Sequence, residues 1–283
     1  MRQTYIKSYA KINIALNVTG KRENGYHDLD MIMVPIELHD TIVIEKNYSP
    51  DNFVTIDEFS SGVIEHNVVT KVINILSEEY GLKEKLKIFI HKVVPMRAGL
   101  GGGSSNAGAV IVALNKKYNL GLDVEEMKKI AVRVGADVPF FIECKPSRVR
   151  GVGEILDPIK INKQYHVLIV KPKEGLTTAD VFKKADEMTL ETANIEDTIL
   201  ALETGDDELL EKSISNALEK PAISLLPEIG EVISYLKEAG LKIVHMSGSG
   251  SSVFALTTDV KLLKKLEVLL EDKYIVEITK IKK

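Results

Sequence analysis

From Tyr5 to Val18 the chain alternates. Ile6, Ala10, Ile12, Ile14, Leu16 and Val18 fall on one side of an extended backbone, and Lys7, Lys11, Asn13 and Asn17 fall on the other. That period of two predicts a strand with one apolar face and with Lys11 and Asn13 side by side on the polar face. Apolar runs over Met31 to Glu37, Thr41 to Lys46, Phe53 to Ile56 and Leu86 to Val94 predict further strands of a mixed sheet. Between them the period lengthens. Val68, Val72, Ile75 and Leu76 share a helical face behind Asn67, a good N-cap, and Gly81 stops the helix. A second helix is expected from Ser104 to Tyr118, where Ala107, Gly108, Ala109 and Ala113 permit close packing. A third is expected from its cap Asp123 to about Gly135.

After Ile161 the pattern restarts. A strand over Tyr165 to Val170 is followed by several helical segments and then by a hairpin-like pair, Ile243 to Met246 and Ser252 to Leu256. A helix over Lys261 to Leu270 and a strand over Tyr274 to Thr279 complete the chain. With the middle helices taken as one enlarged crossover, the order is β-α-β-β-α-β, which is ferredoxin-like. The chain therefore reads as an α+β protein of two domains, 1–161 and 162–283.

Composition narrows the function. Of 283 residues 45% are apolar, enough for a proper core in each domain. The net charge of -4 supplies no field for nucleic acid or an anionic membrane, so any anion site must be local. The single cysteine, Cys144, cannot form an internal disulfide and reads as a small core residue. No apolar run reaches the roughly 18 residues of a membrane span, and the polar start Met-Arg-Gln-Thr has no signal-peptide core. A cytoplasmic protein, monomer or homodimer, is expected. The acidic stretch Glu203 to Glu211 reads as a solvated helix end.

The densest chemical signal is Pro95-Met-Arg-Ala-Gly-Leu-Gly-Gly-Gly-Ser-Ser105, between a strand and a helix. Loop N–H groups and a helix N-terminus together bind phosphate without a cationic side chain. Gly99, Gly101, Gly102 and Gly103 permit positive φ, and Ser104 and Ser105 add hydroxyls for phosphate or Mg²⁺. The lysine of a Walker A loop is absent, and Ser104 stands where a dinucleotide fingerprint needs its third glycine.

This stretch resembles the phosphate loop of the GHMP kinase superfamily. The resemblance continues through Ala10-Lys-Ile-Asn13, Gly25-Tyr-His-Asp-Leu29, Gly135-Ala-Asp-Val-Pro139, Gly151-Val-Gly-Glu154 and Gly248-Ser-Gly-Ser-Ser-Val-Phe254, so it spans nearly the whole chain. It implies a ribosomal S5 domain 2-like N-terminal domain that binds ATP and a ferredoxin-like C-terminal domain that binds substrate, with the active site between them. ATP would be held by Pro95, Met96, Arg97, Ala98, Gly99, Leu100, Gly101, Gly102, Gly103, Ser104 and Ser105, with Asn67 and Lys92 near the adenine. Asp137 and Lys11 match the family's catalytic pair. At about 4 Å they would attract by about 4 kcal/mol at an effective dielectric near 20.

Within that resemblance, Ala-Lys-Ile-Asn with Tyr26-His27 matches members whose small-molecule alcohol substrate carries a cytidine diphosphate group, and so implies such a substrate. Asn13, Tyr26, His27, Thr178 and Phe182 would hold it, with Gly248, Ser249 and Gly250 facing the site. Cofactors implied are ATP and Mg²⁺, with Ser104 or Ser105 as the metal ligand from the protein. Two alternatives stand beside this reading: a GHMP kinase for homoserine, mevalonate or a sugar, and an RNA-binding module of S5-like fold. The run Ser147-Arg-Val-Arg150 departs from the family pattern, and Arg148 and Arg150 read either as extra phosphate contacts or as surface charges.

Overall fold

Two long strands organise the chain. A computed structural model describes residues 3–56 and 67–283; Met1 and Arg2 of the polar start lie outside the described residues. β1 runs over Thr4–Lys21 and β2 over His27–Lys46, and they pair with each other. The sequence pattern gives two strands here, Met31 to Glu37 and Thr41 to Lys46, with Leu38 to Asp40 between them. They are instead one strand, since Asp40 is fully buried and its carboxylate accepts the backbone N–H groups of Val93 and Val94, each at 2.8 Å.

By compactness the chain falls into two units, Met1–Ala10, Leu38–Val94 and Gly101–Cys144 in one, and Lys11–Glu37, Pro95–Leu100 and Lys145–Lys283 in the other. The cut by chain order at residue 162 does not coincide with this division, because β1 and β2 each contribute to both units.

In the first unit, β3 (Phe53–Ile56) runs parallel to β4 (Leu86–His91), which is antiparallel to the end of β2 over Thr41 to Lys46. The helices are α1 (Val68–Glu79), α2 (Gly102–Tyr118), α3 (Val124–Val134) and the short α4 (Phe140–Glu143). Ile42, Ile44 and Ile88 of the sheet join Val72, Leu76, Val110, Ile111 and Ile130 of the helices in one core. Asp123 caps α3 with a reciprocal Glu126 bond, and Asn67 caps α1. The small residues of α2 serve close packing: a Cβ on Gly108 would stand 2.6 Å from Phe141 Cβ. α2 begins two residues before the expected Ser104, so Gly102 and Gly103 are helical and need no positive φ. Cys144 is half-buried at the end of α4 rather than set in the core.

In the second unit, β5 (Ser147–Gly151) pairs with the start of β2 and with β6 (Ile155–Pro158). Then follow β7 (His166–Lys171), α5 (Thr178–Ala185), α6 (Ile195–Thr204), α7 (Asp207–Ser213), α8 (Glu219–Leu225) and α9 (Glu228–Glu238). β8 (Ile243–Met246), β9 (Val253–Thr257), α10 (Val260–Leu270) and β10 (Ile275–Lys280) close the chain. The four-stranded sheet has the order β10-β7-β9-β8, antiparallel throughout, as the ferredoxin-like reading requires. The acidic stretch is the α6–α7 junction, where Asp206 caps α7.

Candidate active site

Lys11 and Asn13 sit two residues apart on β1, so the strand period puts both side chains on one face. A strand lysine is ordinarily solvated, yet Lys11 is 3% and Asn13 2% exposed. The Lys11 ammonium donates to the Gly99 carbonyl at 2.7 Å and to Asn13 Oδ1. A buried charge is tolerated only with such partners, and they fix where it sits. Ser247 completes the cluster: its hydroxyl donates to the same Gly99 carbonyl at 3.0 Å and accepts from the Asn13 amide at 3.2 Å. The first glycine loop and the β8–β9 loop are thus joined at the lysine.

Gly99 has φ +70°, and a Cβ there would stand 2.0 Å from the Ser247 carbonyl oxygen. Such backbone strain costs about 1–3 kcal/mol. We expect Gly99→Ala to weaken nucleotide binding by about 5- to 150-fold, that cost converted to an equilibrium constant. Equilibrium titration with ATP checks this, and unchanged affinity in a folded variant would remove the loop from the binding site.

A second cluster lies at the β1–β2 turn, closed by Arg22 N–H to the Tyr26 carbonyl at 2.7 Å. Tyr26 is 60% exposed. The His27 ring stacks on Phe182 of α5, with centroids 4.7 Å apart and planes 22° apart. Its Nε2 is 2.8 Å from Asp186 Oδ1, while Lys21 donates to Oδ2 at 2.6 Å. Phe182 alone would read as core; it is half-buried and covers a histidine instead. Thr178 and Ser249 hydroxyls lie 3.0 Å apart. The buried Asn216 amide donates to the Met246 and Gly248 carbonyls at 2.8 and 2.9 Å, holding the loop that carries Gly248, Ser249 and Gly250.

In the first unit, Gly101 is the N-cap of α2, and no side chain caps the helix. The N–H groups of a first helical turn have no partner inside the helix, which makes this end attractive to an anion. The Ser105 hydroxyl is 1% exposed and lies 2.7 Å from that of Ser8, while Ser104 is half-buried. Asn67 accepts from Val69 and Thr70 amides at 2.8 and 2.9 Å as the cap of α1. Lys92 is not a solvated strand lysine: its ammonium pairs with Asp40. With the Asn106 amide nitrogen turned toward Asp40, its two N–H groups face Asp40 Oδ2 at 3.0 Å, Ser8 Oγ at 2.7 Å and the Gly102 carbonyl at 3.2 Å, one of them shared between acceptors. Asp40 therefore gathers the end of β4, Lys92 and the first turn of α2.

Removing one partner of a buried pair costs about 3–5 kcal/mol. Asp40→Ala is expected to lose that much in urea unfolding, and Asp40→Ala with Lys92→Met to recover part of it, because the second change removes the stranded charge. A loss below about 1 kcal/mol, the net worth of one ordinary hydrogen bond, would contradict the network.

Asp137 lies half-buried in the turn between α3 and α4, where the Val138 amide donates to the Gly135 carbonyl at 3.1 Å. Among the described residues no group of three or more His, Cys, Asp or Glu side chains is placed to hold a metal ion.

Comparison with known proteins decides the family. GHMP kinases N terminal domain matches residues 67–145, and GHMP kinases C terminal matches residues 198–271. A 4-diphosphocytidyl-2-C-methyl-D-erythritol kinase from Clostridium perfringens is 35% identical over 95% of this chain and 94% of its own. The chain belongs to the GHMP kinase family. A crystal structure of 4-(cytidine 5'-diphospho)-2C-methyl-D-erythritol kinase superposes with a TM-score of 0.83 at 29% identity, covering 99% of this chain and 100% of that one. Homoserine kinase from Cytophaga hutchinsonii shares the fold, with a TM-score of 0.76 at 16% identity over 100% and 95% of the two chains. This GHMP kinase is a phosphotransferase with an alcohol acceptor.

Arg148, one of the two arginines that depart from the family pattern, donates to both Asp30 oxygens at 2.8 Å and to Glu196 at 2.6 Å, beside an open cleft of about 450 Å³. Arg150 pairs with Asp157 at 2.7 Å. Carboxylates engage both guanidinium groups, which suits the surface-charge reading. In this GHMP kinase no helix among the described residues is long and apolar enough to cross a membrane.

Sequence reasoning missed Asp40, Asp186 and Asn216. Only Asp186 left a signal, because it stands four residues after Phe182 and eight after Thr178, on the same helical face.

Proposed function

We propose that this protein transfers the γ-phosphoryl group of ATP to the 2-hydroxyl of 4-diphosphocytidyl-2-C-methyl-D-erythritol, a step of non-mevalonate isoprenoid precursor synthesis. The observation that carries the reading is the near full-length likeness to kinases of that name, at 35% identity over 95% of the chain.

On this reading each residue has a part. The hydroxyl oxygen attacks the γ-phosphorus, the bond to the β-phosphate bridging oxygen breaks, ADP leaves, and Asp137 takes the hydroxyl proton. Lys11, held by Gly99 and Asn13, supplies a fixed positive charge for the transferring oxygens. Loop amides over 95–101 and the uncapped start of α2 cradle the phosphates. Mg²⁺ fits this donor set only as an ion held mainly by nucleotide phosphates and water, with Ser104 as the protein's hydroxyl, since Ser105 is turned to Ser8. Held there, the ion would supply charge neutralisation for the nucleotide phosphates.

Tyr26, His27 and Phe182 recognise the cytidine end, while Asn13, whose Oδ1 accepts from Lys11, belongs to the substrate site at the lysine cluster. At 4.7 Å the His27 and Phe182 rings leave no room for a base between them, so the base stacks on an outer face, with exposed Tyr26 as the second platform. In chain order the boundary between ATP-binding and substrate-binding domains is proposed at Ile161, after β6 and before β7.

The test is a phosphorylation assay with ATP across 4-diphosphocytidyl-2-C-methyl-D-erythritol, homoserine, mevalonate and galactose. Preference for the first by kcat/KM is expected. Preference for any of the others would replace this reading with that of a kinase for a small alcohol.

A further inference from the structure

Helix α5 grips one imidazole twice. Thr178, Phe182 and Asp186 are spaced by four and so share a face; Asp186 itself keeps helical dihedrals, φ -62° and ψ -19°. Phe182 covers the face of the His27 ring, and Asp186 meets its edge at Nε2. The His27 side chain is only 9% exposed, and Lys21 bonds the other Asp186 oxygen. Ring tilt and ring rotation are therefore both restrained, by stacking and by an edge bond.

We infer that Asp186 is a positioning residue for nucleobase selection: it holds the His27 proton on Nε2 and leaves Nδ1 as a hydrogen-bond acceptor for the exocyclic amine of cytosine. This rests on the proposed cytidine-bearing substrate. An ionised carboxylate accepts and never donates, so the nitrogen facing it must carry hydrogen, and in a neutral imidazole the other nitrogen is then an acceptor. The Lys21 and His27 hydrogen bonds hold the Asp186 carboxyl below its ordinary range, in the accepting form. Cytosine presents an amine donor at its 4-position, whereas a 4-keto base such as uracil presents an acceptor. The fixed Nδ1 lone pair pairs with the first and faces the lone pairs of the second. Asp186 touches no substrate; its effect passes through His27.

Two measurements test this. The first is the long-range ¹H–¹⁵N spectrum of the His27 ring at about pH 8, where an ordinary histidine is neutral, assigned by loss of its signals in His27→Gln. Wild type should show the Nε2–H tautomer and Asp186→Ala a mixture. The second is the ratio of kcat/KM for the cytidine and uridine forms of the substrate. It should fall by about tenfold in Asp186→Ala, the scale of one hydrogen bond, with KM for ATP unchanged. Asp186→Asn keeps an acceptor oxygen and should retain more of the ratio than Asp186→Ala. An unchanged His27 tautomer in Asp186→Ala, or a ratio within about twofold of wild type, far short of one hydrogen bond, overturns the inference. Failure of wild type to phosphorylate the cytidine substrate would sink the substrate reading instead, and the ring spectrum alone would then decide whether Asp186 sets the tautomer.

Discussion

Asp137→Asn is expected to lower kcat by about 10²- to 10⁴-fold, the range for a general acid-base group, with ATP affinity nearly unchanged. Asparagine matches the shape of aspartate but cannot accept the hydroxyl proton. The turn should survive the change, since the Val138 to Gly135 bond that closes it is made by the backbone. An interaction made only in the transition state lowers kcat and kcat/KM together. Steady-state kinetics with both substrates varied will separate that pattern from a binding defect. A fall below about threefold, well short of the acid-base range, would make Asp137 a turn residue and nothing more. The variant also divides the work: Lys11 and the loop amides remain, so the residual rate reports how much positioning and charge stabilisation achieve alone.

The elements were legible in the sequence where local chemistry sets them. Asn67 and Asp123 cap the helices expected of them, and the strand Phe53–Ile56 and β8 fall at their expected bounds. Chain-distant partners were not legible. β2 reads as two strands because nothing local reveals that the Asp40 carboxylate will be taken up by amides more than fifty positions away. The burial of Lys11 and Lys92 was not legible for the same reason: it depends on acceptors brought up by other segments, Gly99 and Asp40. The glycine loop was visible as a candidate binding motif, because the glycine run and the helix start behind it are local features. Its attachment to Ser247 was not, because that contact joins sites nearly 150 positions apart.

The uridine form of the diphospho-methylerythritol substrate is expected to be phosphorylated with a kcat/KM lower by up to about 10⁴-fold. A site built to hydrogen-bond one group rejects an analogue by that much when its own buried groups are left mismatched. His27 meets the condition, because its ring is nearly enclosed and restrained by Phe182 and Asp186. A neutral ring held at Nε2 by Asp186 presents the lone pair of Nδ1, not a donor, to uracil. Stacking would not discriminate, since both bases offer a π-face worth about 1–3 kcal/mol. The difference should therefore reside in the edge, and His27→Ala should erase most of it while Tyr26→Ala weakens both substrates alike. Part of the loss should appear in kcat, because binding energy from the remote nucleotide helps orient the reacting hydroxyl against the γ-phosphate. Equal wild-type kcat/KM for the two bases would refute nucleobase reading and return the choice to a kinase for a small alcohol.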